Sequence, residues 1–391
     1  MQMAARNCKL FSKIMKHLFH YISVLLLFGL NGIAAGQDCW GNFRGNSALT
    51  GVAEVELPGD LRLEWTFKTG DAIKAAPVVC DGIIVAGSLD GNLYGITREG
   101  NLKWKINTGN GIESPALIDN GMVYVGNLDG SVFAIELETG KTRWTYDTEG
   151  QIMGSPNLWK GQIEGKPGTT RVLIIGSYDY YLHGIDALTG EGLWKYEADN
   201  FINGTPAIYK GYAIFGGCDG MLHQVRVSDG KLKERRPVAT YVAGSVTVVD
   251  WITYVGDYDG KFTALNIQHG KEQWSYKNDK AELPFIASPS VDGNRVFIGN
   301  RDKYVYCFNR TTGDLIWSVN TRGRVDASPV LAGDDLLVAT MRGDVLVMDA
   351  ASGEVKWTYE IGSPVMGNPA VTDERVIVGA GDGRIYCFGS K

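Results

Sequence analysis

Asp129-Gly-Ser-Val-Phe-Ala-Ile-Glu-Leu-Glu-Thr-Gly-Lys-Thr-Arg-Trp144 holds two turn signals and two strand patterns in sixteen residues. Asp129-Gly130 suits the positive dihedrals of a two-residue hairpin, and Thr139-Gly140 is a second turn that leads into a strand carrying Trp144. Between them the chain is rich in branched and aromatic residues. The string returns as Asp179-Tyr-Tyr-Leu-His-Gly-Ile-Asp-Ala-Leu-Thr-Gly-Glu-Gly-Leu-Trp194, and again as Asp344-Val-Leu-Val-Met-Asp-Ala-Ala-Ser-Gly-Glu-Val-Lys-Trp357. A period near 40 residues marks stacked supersecondary units.

Working outward, tryptophans fall at Trp65, Trp104, Trp144, Trp194, Trp274, Trp317 and Trp357, spaced 39, 40, 50, 80, 43 and 40 residues apart. One member is missing, and Glu234 holds its place among Lys231, Lys233, Arg235 and Arg236. A small residue before proline recurs at Ala76, Ser114, Ser155, Thr205, Ser288, Ser328 and Asn368, with Ser245-Val246 as the degenerate eighth. The turn marker also occurs eight times, from Asp90-Gly91 to Asp382-Gly383. Each unit therefore reads as four short antiparallel strands, and beyond the N-terminal leader no segment has a helical apolar period.

The expected fold is all-β: an eight-bladed β-propeller of four-stranded antiparallel blades, a design whose radial packing protects sheet edges. The first tryptophan strand, Leu61 to Phe67, precedes any complete unit, and the chain ends after a third strand, Arg384 to Phe388. The N-terminal strand must then complete the last blade. The wide spacings locate a polar insertion at Gly161 to Thr170 in the third blade and another at Lys277 to Phe285. The charged segment around Glu234 reads as a frayed blade edge or, more sharply, as a docking edge.

Residues 1–36 carry Arg6, Lys9, Lys13 and Lys16 but no acid, then an apolar run from Tyr21 to Leu30 and the small residues Ala34, Ala35 and Gly36. That is the pattern of a signal peptide. The run is too short for a membrane span, so a secreted or periplasmic protein without a transmembrane segment is expected. Cys39 lies third after Gly36, not directly after it, which argues against a lipid anchor. The expected organisation is 1–36 signal peptide, 37–58 N-terminal extension and 59–391 propeller, the extension wrapping the outside. Losing four cations takes the formal charge from −6 to −10, which disfavours nucleic acid as a partner. The five cysteines beyond the leader are scattered, and their pairing is left open.

The three quoted strings resemble the pyrroloquinoline-quinone-like propeller repeat over residues 61–388, and Trp40-Gly-Asn-Phe-Arg-Gly45 is similar to segments that precede such propellers in secreted bacterial proteins. The resemblance implies either a quinoprotein dehydrogenase, with quinone and calcium, or a cofactor-free scaffold like the propeller lipoprotein of the outer-membrane β-barrel assembly machinery. This chain lacks the adjacent cysteine pair of many eight-bladed dehydrogenases and the lipidation cysteine of the scaffold. The family places the seven tryptophans in a structural outer-strand ring that docks neighbouring blades.

Chemistry-bearing motifs are sparse. His183, His223 and His269 lie in different units and read as surface or interface residues. No HExxH, Gly-x-Ser-x-Gly or phosphate-cradling loop is present, and Asp257-Tyr-Asp259-Gly260 reads as a hairpin, not a calcium loop. No catalytic or metal residues are assigned.

Alternating strand direction puts the linker before each innermost strand and the turn between second and third strands on one face. Polar residues there vary from blade to blade: Lys74, Glu113, Asn203 and Asp326 in the linkers, and Asn127, Asp257, Asn300, Arg301 and Arg342 at the turns. They are the candidate ligand rim. The favoured function is a non-enzymatic binding or scaffold propeller with a protein or extracellular ligand, glycan or peptide, as partner and no cofactor. The alternative is a quinone-dependent dehydrogenase with a reduced frame.

Overall fold

The computed structural model describes residues 39–238, 240–279 and 281–390, so the expected signal peptide lies outside the described residues. Eight antiparallel sheets follow one another around a ring. Blade 1 runs from its inner strand Val78–Cys80 through Ile83–Gly87 and Asn92–Thr97 to the outer strand Leu102–Asn107. Blades 2 to 7 repeat this order over 117–147, 157–197, 207–237, 247–277, 290–320 and 330–360. Blade 8 takes three strands from 370–389 and its outer strand, Arg62–Lys68, from the N-terminal side; the closing ladder runs from Arg62↔Gly389 to Lys68↔Arg384. The ring is thus closed by hydrogen bonds between the ends of the chain.

Burial explains the repeat. The second and third strands are sandwiched between neighbouring blades and are almost wholly buried, whereas the outer strands alternate exposed and half-buried positions. Each outer ladder slips register just before its tryptophan, as between Gly95 and Ile96 opposite Trp104. Such a bulge re-aims one side chain, here toward the next blade. Trp104 Nε1 donates to Leu137 O at 2.7 Å, Trp194 to Val227 O at 2.9 Å and Trp274 to Arg310 O at 2.9 Å. Gly140, at φ +72°, lies over the Trp104 ring, where an added Cβ would come within 2.8 Å of Cγ. The Thr-Gly turn is therefore fixed by backbone dihedral and by ring contact together.

Blade 4 lacks the tryptophan yet is not frayed. Its outer strand Leu232–Pro237 pairs in the usual register, with Glu234 opposite Gln224. The Arg236 guanidinium, paired with Glu234, occupies the space beneath Gly270 that an indole fills elsewhere. The ladder needs a backbone and a filled gap; it does not need tryptophan specifically.

The small residues before proline form a belt. The amides of Ser155, Thr205, Ser245 and Ser288 donate to the hydroxyls of Thr205, Ser245, Ser288 and Ser328 in turn, at 2.8 to 3.1 Å. Each of these hydroxyls satisfies a buried amide of its neighbour, which explains why the marker is a small hydroxyl residue in these blades.

The N-terminal extension does not wrap the outside. Residues 40–53 run across the inner strands, so that Val79, Ile118, Ile208, Val248, Val291 and Leu331 donate their amides to Trp40, Gly41, Ser47, Ala48, Thr50 and Gly51 carbonyls. Val52–Ala53 then pairs in parallel with the blade 7 inner strand. Inner strands at the axis leave a row of backbone donors, and this segment satisfies them. Arg44 is fully buried at its centre, donating to Pro289 O at 2.7 Å, to Pro329 O and to Ser290 Oγ at 3.1 Å. Burial without a carboxylate pushes its guanidinium down to about 9. A Cys39–Cys80 disulfide ties the segment to blade 1, while Cys307 and Cys387 are buried free thiols.

Candidate ligand face

The linkers and the turns between second and third strands meet on one face, held together by a repeated bond. Tyr178, Cys218, Tyr258 and Arg301 donate their amides to the carbonyls of Gln151, Phe201, Tyr241 and Pro284 in the adjoining linkers. The third residue before Pro77, Pro156, Pro206, Pro329 and Pro369 reaches the axis, which places Lys74, Met153, Asn203, Asp326 and Met366 around one mouth. A cavity of about 170 Å³ opens there, with the leader's Phe43 at its inner end. Asn368 Nδ2 is buried in its wall without a partner among the described residues. A small polar cavity of this kind suits water or a few polar atoms.

Five candidate residues are brought together at this mouth. Lys74 Nζ lies 2.7 Å from Glu113 Oε1, and Arg301 grips Asp326 with two bonds of 3.1 and 3.0 Å. Asn203 accepts from Tyr178 Oη at 2.7 Å and donates to Ala243 O at 2.7 Å. Arg342 is exposed, 3.7 Å from Asp344.

The other three are not rim residues. Asn127 and Asn300 are buried, each accepting from amides of its own turn and donating Nδ2 to the Thr108 or Leu283 carbonyl at 2.8 or 2.9 Å. Asp257 stands in the same turn position, 6% exposed, and accepts from Lys261 N at 2.7 Å. Burial raises the pKa of its carboxyl. A raised folded value means that its contribution to stability is complete below the ordinary aspartate range and is lost as pH climbs through the folded value. Asp257→Asn supplies the donor that Asn127 and Asn300 use, and should raise stability at pH 7 by about 0.5 to 1.5 kcal/mol. Urea unfolding at pH 4 and pH 7 checks this: the gain should shrink at the lower pH.

The histidines are also placed differently from expectation. His183 and His223 are wholly buried, each between an aspartate and a tyrosine: Nε2 lies 3.0 Å from Asp179 and 2.9 Å from Asp219, and Nδ1 lies 3.1 Å from Tyr146 and 3.0 Å from Tyr196. Tyr94, Tyr306 and Tyr386 take the same place in blades 1, 6 and 8, bonding to Asp90, Asp302 and Asp382. These are blade-filling groups. Burial alone would raise Asp179, but the His183 bond and the Tyr181 amide outweigh it and hold the carboxyl at about 2.

What the sequence reading passed over is an aromatic sector on the same face of blades 3 to 5. Tyr178 stacks on Phe201 at 4.5 Å, Tyr180 meets Phe201 at 5.1 Å, and Tyr241 meets Tyr258 edge-on at 5.1 Å. Phe201, Tyr180 and Tyr258 are 36%, 42% and 45% exposed. Tyr258 Oη lies 3.4 Å from Arg301, so the sector runs directly into the charged mouth. Aligning the repeats on their turn positions exposes the signal: the preceding residue is Leu89, Leu128, Cys218, Arg301, Met341 or Gly381 in blades 1, 2, 4, 6, 7 and 8, but Tyr178 and Tyr258 in blades 3 and 5.

The axis does not fit a tricyclic quinone with its calcium. Its acids Glu113 and Asp326 are both spent on cations, no tryptophan lines it, and its volume falls below the roughly 300 to 1,000 Å³ of ordinary ligand pockets. Among the described residues, no three His, Cys, Asp or Glu side chains converge as a metal site.

Comparison with known proteins gives three overlapping matches, at 105–242, 179–303 and 301–390, to a family model described as outer membrane protein assembly factor BamB. BamB of Salmonella typhimurium is 26% identical over 189 residues, covering 45% of this chain and 47% of that protein. The chain spans less than half the length of the curated relatives it matches first, 47% and 37% for the first two. Among solved structures, BamB from Moraxella catarrhalis superposes with a TM-score of 0.70 at 21% identity, covering 85% of this chain and 98% of that one. The quinohemoprotein alcohol dehydrogenase of Comamonas testosteroni gives 0.75 at 15% identity, covering 92% and 81%. At these identities the structures speak to the fold alone.

Proposed function

Because the chain belongs to the family described as outer membrane protein assembly factor BamB, and stands nearer that branch of PQQ-like propellers than the quinoprotein dehydrogenases, we propose that it is a non-enzymatic, protein-binding propeller of the periplasm. Its task on this reading is outer-membrane protein assembly. The partner docks on the face that carries the mouth, with the aromatic sector of blades 3 to 5 as its apolar centre and the Lys74, Glu113, Arg301 and Asp326 groups as its polar margin.

One observation carries the reading. A fold that repeats its structural residues has no internal use for Tyr180, Phe201 and Tyr258 standing largely in water, whereas protein interfaces concentrate aromatic residues beside arginine. The expected signal peptide at 1–36 supports the compartment.

Binding to the periplasmic portion of the source organism's outer-membrane protein assembly machinery tests this. Phe201→Ala and Tyr258→Ala should each weaken it by about 2 kcal/mol, roughly thirtyfold. Lys141→Ala, in a turn on the opposite face, should leave it unchanged. Equal affinity for all three variants, or no binding by the parent protein, overturns the proposal.

A further inference from the structure

The face opposite the mouth carries its own opening, and its cause is visible in the path of the leader. On blades 1, 2, 4, 5, 6 and 7 the inner strand donates one backbone amide to the leader. Blade 3 breaks the series: Leu158 donates to its own neighbour Asn157 Oδ1 at 2.8 Å, and Asn157 Nδ2 holds the leader off through Ser47 O at 2.8 Å. Between Gly41 and Ser47 the leader turns, with Arg44 at φ +63° and Gly45 at φ +82°, to send the Arg44 guanidinium to blades 6 and 7. That detour leaves a cleft of about 560 Å³ over blade 3, within the range of small-molecule sites.

The cleft is chemically unlike the rest of the surface. Trp159 stands in it on the inner strand of blade 3, outside the structural ring of tryptophans, half-buried, with part of its ring over Gly161 and against the core between blades 3 and 4, and with no hydrogen bond from its indole N–H among the described residues. Lys160 and Lys210 flank it, with Ile118 and Ile208 as apolar wall. Lys160 shares Asp119 with Arg171, while Lys210 is exposed, has no carboxylate partner among the described residues and lies 5.9 Å over the Tyr209 ring. The cleft's own lining therefore sets two lysines against one carboxylate, and Arg171 from outside the lining neutralises that carboxylate further, on a chain whose formal charge is −6.

We propose that this cleft binds a small organic anion, a carboxylate or a phosphate ester with an apolar ring, the ring lying against Trp159 and the charge between Lys160 and Lys210. An indole face with a free N–H beside two lysines recognises that combination and rejects the neutral analogue. The site lies on the opposite face from the mouth, so it stands or falls separately from the assembly function.

Protein labelled with 5-fluorotryptophan tests it. The chain has ten tryptophans, and Trp159→Phe identifies the line of interest. Benzoate and phenyl phosphate serve as anionic probes and benzamide as the neutral one. At least one anion should shift the Trp159 line saturably in the millimolar range or below, and the preferred anion distinguishes carboxylate from phosphate. Lys160→Gln with Lys210→Gln should weaken the response about fivefold or more. Both lysines are exposed, so the melting temperature should hold and binding loss cannot be read as unfolding. No saturable shift with either anion, an equal response to benzamide, or an undiminished response in the double variant overturns the proposal.

Discussion

Trp104→Ala should cost about 3 to 5 kcal/mol, the range of large aromatic truncations in a packed interior. The indole is 8% exposed, its Nε1 donates to the Leu137 carbonyl, and its ring supports Gly140 of blade 2. Removing it leaves a void at a blade junction and an acceptor without its donor. Trp104→Phe should recover much of the loss, because the ring returns although the donor does not. Unfolding midpoints in urea measure both. A Trp104→Ala loss below 1 kcal/mol would mean that the junction is held by the ladder alone. Blade 4 offers the reciprocal control: Glu234→Trp should bring no gain, since Arg236 already fills the space beneath Gly270.

Breaking the Cys39–Cys80 bridge should be the second large effect. The bridge spans 41 residues, and loop-closure entropy for that length corresponds to about 4 kcal/mol, within the usual range for native bridges. Cys39→Ser with Cys80→Ser, or reduction of the parent protein, should lower the melting temperature. Amide exchange should accelerate first at Val79 and Ile118, whose amides bond to the leader beside the bridge. Cys218→Ser, at a free half-buried thiol, serves as the control and should leave the leader's protection unchanged. An unaltered melting temperature in the double variant would show that Arg44 and the backbone bonds hold the leader unaided.

Much of the architecture was legible because a propeller is built from local hairpins. Within blade 2, Ser131 faces Asp147 and Met122 faces Glu136, so the pattern that specifies the ladder lies within a few dozen residues. Repetition then multiplies a weak signal eight times. The closing strand was legible for the same reason, since an outer strand at the start and a missing outer strand at the end admit one solution. His183 and His223 were misjudged because a buried Asp-His-Tyr chain looks, one residue at a time, like a polar surface strand. Asn127, Asp257 and Asn300 were misjudged because a turn cap and a rim residue have the same composition; whether the amide points into its own turn is a matter of three-dimensional geometry.

By itself, then, the amino-acid sequence determined the number of blades, the strands in each and the tryptophan ring, because those depend on contacts between residues close along the chain, and it determined the closure of the disc because an outer strand without its blade and a blade without its outer strand leave one pairing. Only the tertiary structure decided the path of the leader, the burial of Arg44 against carbonyls 245 and 285 residues away, and the cleft that its detour opens. It also decided that aromatics of three blades meet on one face. No periodicity records such meetings, because they join positions that are distant in sequence and occur once, not eight times.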